Sequence, residues 1–158
     1  MIGIIAEDWE TNSFTKFPWS FGGDEDWIIT NVSPLEGLYC AKSGLIHNLE
    51  STELMINYEV AVDDSISFFR KVSSELDYDF LTFTIDSIFQ GSWSGEVPWG
   101  RMAYPVTQGN HTFKWVYSKD IDVSNGLDRA WLDYIEFPPP LLPNVSAGPS
   151  DTICAGES

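Results

Sequence analysis

Three runs of strictly alternating side chains constrain this chain more than any other feature. Leu54, Ile56, Tyr58, Val60 and Val62 alternate with Glu53, Met55, Asn57, Glu59 and Ala61. Leu81, Phe83 and Ile85 alternate with Thr82, Thr84 and Asp86, and Phe113, Trp115 and Tyr117 with Thr112, Lys114 and Val116. Successive side chains of an extended chain point to opposite faces, so a period of two buries one set and exposes the other. β-Branched and aromatic residues dominate the runs, as strands prefer. Turn signals fall between them, at Gly22-Gly23-Asp24, Ser33-Pro34, Asp63-Asp64, Gly91, Ser94-Gly95, Gly109-Asn110 and Asn125-Gly126. The spacing predicts strands over 2–10, 26–31, 37–43, 52–62, 65–74, 78–87, 98–106, 110–118 and 129–137, with no amphipathic helix. Such a chain is all-β, a two-sheet antiparallel sandwich or a barrel. Regular first and last strands bring the termini together, as in jelly rolls.

One composition break divides the 158 residues. Phe137-Pro138-Pro139-Pro140-Leu141-Leu142-Pro143 cannot be sheet interior, because each proline removes a backbone donor. Residues 1–137 therefore read as one domain and 138–143 as a stiff linker. Residues 144–158 are too short to fold alone and read as the start of a following module. The first residues, Met1-Ile2-Gly3-Ile4-Ile5-Ala6, form no secretory leader, because Glu7 and Asp8 follow at once. Either the protein is cytoplasmic or the chain is a piece of a longer one, and the tail beyond the linker favours the second expectation.

Charge narrows the partners. Asp and Glu number 24 against 8 Lys and Arg, for a net charge of −16. Nucleic acid is excluded, because phosphate binding needs clustered cations, and an anionic membrane surface is disfavoured. No apolar run has the length of a membrane span. Divalent cations are favoured.

No catalytic motif appears. The histidines, His47 and His111, have no nucleophile motif beside them, and Ser92-Trp93-Ser94-Gly95-Glu96 is not a GxSxG elbow. The chain is read as non-catalytic, with a jelly-roll glycoside hydrolase as the enzymatic alternative, because paired carboxylates are abundant. Cys40 and Cys154 form no CxxC pair. Cys40 is expected to be a buried free thiol.

Three acidic groups stand out: Glu7, Asp8 and Glu10; Asp24, Glu25 and Asp26; and Asp120, Asp122 and Asp128. The last resembles an EF-hand loop but fails, because Gly126 is one position late and no glutamate closes it. If strands 2–10 and 129–137 pair, Glu10 and Asp133 meet at one edge. The expectation is one structural calcium ion there, with loop carbonyls completing an oxygen shell. Asp24 and Asp26, or Asp120, Asp122 and Asp128, are the alternative ligands. Trp19, Trp93 and Trp99 lie in turn-rich segments, where tryptophan either stacks on a sugar face or caps the sandwich. Asp64-Ser65-Ile66, Asp86-Ser87-Ile88 and Asp151-Thr152-Ile153 fit a short O-glycosylation pattern at Ser65, Ser87 and Thr152.

A set of segments in fixed order is more specific than any of these. Gly37-Leu38-Tyr39-Cys40-Ala41-Lys42-Ser43-Gly44, Ile66-Ser67-Phe68-Phe69-Arg70-Lys71-Val72, Tyr78-Asp79-Phe80-Leu81, Trp93-Ser94-Gly95-Glu96, His111-Thr112-Phe113-Lys114-Trp115-Val116-Tyr117 and Ala130-Trp131-Leu132-Asp133-Tyr134-Ile135 together resemble gingipain-type adhesin domains of secreted bacterial surface proteins. MAM domains are more distantly similar. The resemblance covers residues 7–138. It implies a concanavalin-like jelly roll without catalytic activity, bound calcium, and Glu10 and Asp133 as ligands. Arg129 stands where many such domains carry a cysteine, which leaves Cys40 without a partner. The tail around Ala147-Gly148-Pro149 is similar to the opening of Ig- or PKD-like repeats. The resemblance implies an extracellular or cell-surface adhesion module beside neighbouring domains, recognising a protein or glycan ligand on a cell or matrix surface. The alternative is a carbohydrate-binding module using the loop tryptophans.

Overall fold

The computed structural model describes residues 4–121 and 125–142. They contain eleven strands and no helix. The strands are β1 (Ile5–Glu7), β2 (Ser20–Gly23), β3 (Ile28–Thr30), β4 (Cys40–Lys42), β5 (Ser51–Val60), β6 (Asp64–Ser73), β7 (Phe80–Ile85), β8 (Ile88–Trp93), β9 (Glu96–Val106), β10 (Gly109–Ser118) and β11 (Arg129–Phe137). One sheet runs β3-β4-β11-β6-β9, with β1 also paired to β11; the other runs β2-β5-β10-β7-β8. All pairs are antiparallel, and the two sheets pack as a jelly-roll sandwich.

The alternating runs are the centre of the second sheet. Ile56 faces Phe113 and Leu54 faces Trp115 across β5 and β10, while Phe83 and Leu81 face Trp115 and Tyr117 across β7 and β10. These side chains are buried and meet Phe68 of the opposite sheet. The Phe68, Phe83 and Trp115 rings lie 4.8–5.4 Å apart, a range in which edge-to-face and tilted aromatic pairs are stabilising.

Three strands depart from the expected set: β2 pairs with β5 from Ser20 to Gly23, where Gly22-Gly23-Asp24 signalled a turn. β8 forms where Gly91 and the flanking serines signal a turn, because burial of Trp93 against Phe68 pulls the segment into the sheet. β1 is shorter than expected and ends at Glu7, because Trp9 takes φ 66° and the chain turns away from β11. Between β7 and β8, Asp86 and Ser87 both take positive φ, 54° and 66°, forming the two-residue turn that twists with a hairpin. Ser65 and Ser87 are exposed; Thr152, Cys154 and residues 143–158 lie outside the described residues.

The proline segment is seated on the sandwich. Tyr58 donates its hydroxyl to Pro138 O at 2.7 Å, Ala61 N donates to Pro139 O, and Leu141 N donates to Glu59 O. The carbonyls of the prolines thus serve the end of β5 although their nitrogens cannot.

The architecture leaves one gap. β4 covers β11 at Trp131 and Leu132, and β1 covers it from Ile135 to Phe137. Both lie on the same side, opposite β6. Asp133 and Tyr134 fall between them, at a β-bulge that shifts the β11–β6 register and puts Tyr134 at φ 44°. The extra residue switches the alternation, so that Leu132 before it and Ile135 and Phe137 after it all join the core.

Candidate functional site

The gap in β11 is filled by the loop between β3 and β4. Leu35 N and Glu36 N donate to Asp133 Oδ2 at 3.0 and 3.3 Å, and Tyr134 N donates to Oδ1 at 2.8 Å. Two residues on, Leu38 N and Tyr39 N donate to Glu10 Oε1 and Oε2 at 2.9 and 3.0 Å. Two carboxylates from opposite ends of the domain therefore grip one loop. Gly37 lies between the two grips at φ 64°, and a Cβ there would stand 2.5 Å from Glu10 Oε2. Only glycine permits both the conformation and the approach.

Glu10 and Asp133 are thus brought to the same loop, but not face to face across paired strands. β1 stops before Glu10, and Asp133 lies in the seam between β1 and β4. Asp133 is fully buried, and burial pushes its carboxyl up to about 7 despite the three amides. Glu36, absent from the expected ligands, joins them. Its carboxyl is raised by burial and by the charges of Glu10 and Asp8. Asp8 itself is paired with Lys16 at 3.7 Å. Nothing in the sequence marked Glu36, since its placement depends on how the β3–β4 loop folds back.

The other acidic residues have different surroundings. Asp24 is exposed and accepts from Ser51 N at 3.0 Å, and Asp26 is exposed as well. Asp122 lies outside the described residues. Asp128 accepts from Lys119 Nζ at 2.8 Å and from the Tyr117 hydroxyl at 2.7 Å. Asp120 lies with Glu75 and Asp79, and their carboxylate oxygens are within 4.8 Å of one another, the one such acidic trio among the described residues. A lysine already serves this trio: Lys119 Nζ is 3.3 Å from Asp79, with both side chains essentially buried. A divalent ion there would have to sit beside a buried ammonium. Among the described residues no lysine or arginine pairs with Glu10, Glu36 or Asp133, and the Asp133 and Glu36 carboxyls are raised by burial and by neighbouring carboxylates. The trio thus has the closer set of oxygens but a competing cation, while Glu10, Glu36 and Asp133 do not bring three carboxylate oxygens within 4.8 Å of one another.

The tryptophans are less exposed than their turn-rich segments implied. Trp19 packs within 6.0 Å of Trp9, Trp115 and Phe137 and donates Nε1 to the buried Glu7 at 2.9 Å. Trp99 donates Nε1 to Ser33 O at 3.2 Å. Trp93 is half-buried on β8 under the Arg70 guanidinium. Cys40 is a buried free thiol whose pKa burial pushes up to about 12, so it is unreactive near neutrality.

His111 is tied up. Its Nδ1 lies 2.6 Å from Asp86 Oδ2, its Nε2 lies 2.7 Å from Thr107 O, and Asp86 Oδ1 accepts from Thr112 N. With Asn57, Asn110 and Thr112 these residues line a shallow depression of about 320 Å³. Burial works to lower the imidazole pKa, but the Asp86 and Thr107 bonds outweigh it and the net shift is upward. Burial works to raise Asp86, but the Thr112 amide and His111 outweigh it and hold it below its usual 3.8. The raised His contributes stability that is full below 6.5 and is lost as pH rises through the folded value. The lowered Asp contributes stability that is full above 3.8 and is lost as pH falls through its folded value. The pair is therefore strongest between those limits. The Asp86 side chain is 41% exposed, so solvent screening holds the contribution under about 1 kcal/mol. Melting the protein at pH 6 and pH 8 should show a larger alkaline loss than in His111→Gln. Equal losses would mean that the pair does not contribute. Asp133 is common to both proteins and cancels in the comparison.

No protein-family model matches the chain, and no curated protein sequence matches it. Solved structures do. The secreted serine protease VesC of Vibrio cholerae matches with TM-score 0.62 and 18% identity, over 86% of this chain and 28% of that one. This chain therefore spans less than a third of VesC. The K1 cleaved adhesin domain of Lys-gingipain from Porphyromonas gingivalis W83 matches with TM-score 0.58 and 12% identity, over 87% and 98%. The CBM22-1 xylan-binding domain of Paenibacillus barcinonensis Xyn10C matches with TM-score 0.57 and 14% identity, over 85% and 92%. The expected resemblance holds: in fold the chain is similar to the jelly-roll domains of gingipain cleaved adhesins and of carbohydrate-binding modules.

Proposed function

We propose that this domain is a non-catalytic extracellular interaction module whose β3–β4 loop is held by calcium and recognises a protein on a cell or matrix surface. The observation that carries the reading is the double carboxylate grip on that loop. Backbone amides from Leu35 to Tyr39 are bound at its base by Asp133 and Glu10, while Val32 and Leu38 stand 65% and 68% exposed above it. Apolar side chains on a backbone that is already ordered are what a binding loop needs, because little entropy remains to be lost on contact. Calcium at Glu10 and Asp133, with Glu36 beside them, would neutralise carboxylates that otherwise repel. Leu35, Glu36, Leu38 and Tyr39 use their amides here, so carbonyls of the same loop remain for an oxygen shell.

The fold similarity to adhesin domains agrees with this reading. The similarity to carbohydrate-binding modules keeps a glycan ligand as the second reading, though Trp19 and Trp99 already use their indole N–H groups within the domain. The test is adhesion to immobilised matrix proteins and to a glycan array, with calcium and with chelator. Binding to a protein should be lost in Val32→Asp with Leu38→Asp, at an unchanged melting temperature, and should fall in chelator. Adhesion indifferent to both treatments would reject the loop as the recognition element.

A further inference from the structure

β8 and β9 are the outer edges of their sheets and lie on the same side of the sandwich. The inward row of side chains opens there. On β9 it reads Tyr104, Met102 and Gly100, opposite Ile66, Phe68 and Arg70 of β6. On β8 it reads Gly91 and Trp93, opposite Phe83 and Leu81 of β7. Arg70 is the one cation in this row. Its guanidinium carbon lies 5.2 Å from the Trp93 ring centre, and Nη1 donates to Pro98 O at 3.0 Å. Among the described residues no carboxylate lies within 4.0 Å of it, and its Nε is buried without a partner. In a protein of net charge −16 an arginine held this way, half-desolvated and unpaired, is costly unless something outside the chain pairs with it.

Two further donors converge on the same place. The Tyr104 hydroxyl lies against Gly91, where a Cβ would come within 2.6 Å of it, and the Trp93 ring is at the same glycine. Arg70 and Tyr104 are close enough to shift each other's titration. Among the described residues, neither the Tyr104 hydroxyl, nor Trp93 Nε1, nor Arg70 Nη2 makes a hydrogen bond, and none of the three is a buried atom. Gly100 keeps the end of the guanidinium clear, since a Cβ there would be 2.8 Å from Nη1.

The geometry points to a carboxylate-binding subsite at the β8–β9 edge, in which Arg70, Tyr104 and Trp93 take a hexuronate residue of an acidic glycan. The end of the guanidinium offers paired N–H groups to a carboxylate, the geometry in which arginine binds most strongly. The phenol and the indole are then left for ring hydroxyls. Two glycines flatten the approach to suit a sugar ring. An added peptide strand is opposed on β9, where Pro98 and Pro105 stand at the edge. The inference rests on the domain being a binding module, and it does not use the β3–β4 loop.

The experiment follows the Trp93 indole N–H by NMR, assigned through Trp93→Phe, during titration with a uronic acid oligosaccharide. The neutral oligosaccharide of the same linkage and an acidic peptide are titrated in parallel. The uronate should shift the Trp93 signal, and Arg70→Met should weaken binding roughly tenfold or more, as expected for a lost charge-assisted pair. Gly100→Ala should weaken it too while the charge is kept, so the test survives if Arg70→Met folds poorly. Tyr104→Phe should cost less than either. Equal binding of the neutral sugar, preference for the acidic peptide, no Trp93 shift at millimolar uronate, or uronate binding that survives both Arg70→Met and Gly100→Ala would overturn the assignment. Melting shifts with calcium read Asp133 instead, so the two proposals fail separately.

Discussion

Lys119→Met is expected to cost about 3–5 kcal/mol, the penalty for removing one partner from a buried ion pair, and to lower the melting temperature by on the order of 10 °C. The Lys119 side chain is 1% exposed and lies 3.3 Å from Asp79, which is fully buried, and 2.8 Å from Asp128. Burial works to lower the ammonium pKa, but the bonds and charges of Asp128 and Asp79 outweigh it and raise it. The lysine therefore stays charged, and two carboxylates depend on it. Removing it leaves Asp79 and Asp128 without their cation, and the Tyr117 hydroxyl that donates to Asp128 is drawn into the loss. Chemical denaturation measures the effect. Adding Asp79→Leu to Lys119→Met should recover part of it, because an apolar residue carries no unpaired charge. A loss below about 1 kcal/mol would place the cluster among solvated surface pairs.

Calcium is the second large effect. At a hundredfold excess over the dissociation constant, an ion bound to the folded state alone adds about 2.7 kcal/mol. For a domain of this size that is a rise of roughly 5–10 °C in melting temperature over chelator-treated protein. Asp133→Asn should have two consequences. In chelator it should melt lower than the wild type, because both carboxylate oxygens accept backbone amides and the Asn nitrogen can accept from none of them, leaving a buried N–H without its partner. In calcium it should gain nothing. A calcium gain that persists in Asp133→Asn would place the ion elsewhere, first at Glu75, Asp79 and Asp120. No gain in the wild type would reject calcium as a stabilising element.

Sequence and tertiary structure contribute differently to these two sites and to the fold around them. The alternating runs at 53–62, 81–86 and 112–117 determined the strand type, the buried faces and the two-layer all-β class, because the side-chain period of a strand is a local property. The −16 charge set the expectation of a divalent cation and of no nucleic-acid partner, because charge is additive along the chain. Glu10 and Asp133 were legible as acidic residues near the two ends of the domain. Their meeting at one loop was not, since it requires β1 and β4 to leave a gap along β11 and a bulge to fall in that gap. The glycine, proline and serine neighbours of Trp19, Trp93 and Trp99 signal exposed turns. Core packing overrides that local signal, drawing Trp93 into β8 and Trp19 against Glu7. Glu36, Lys119 and Arg70 left no trace in the sequence, although Asp120, Asp128 and Trp93 beside them did. Each belongs to a coincidence of residues far apart in the chain, and only the order of strands in the two sheets brings them within bonding distance.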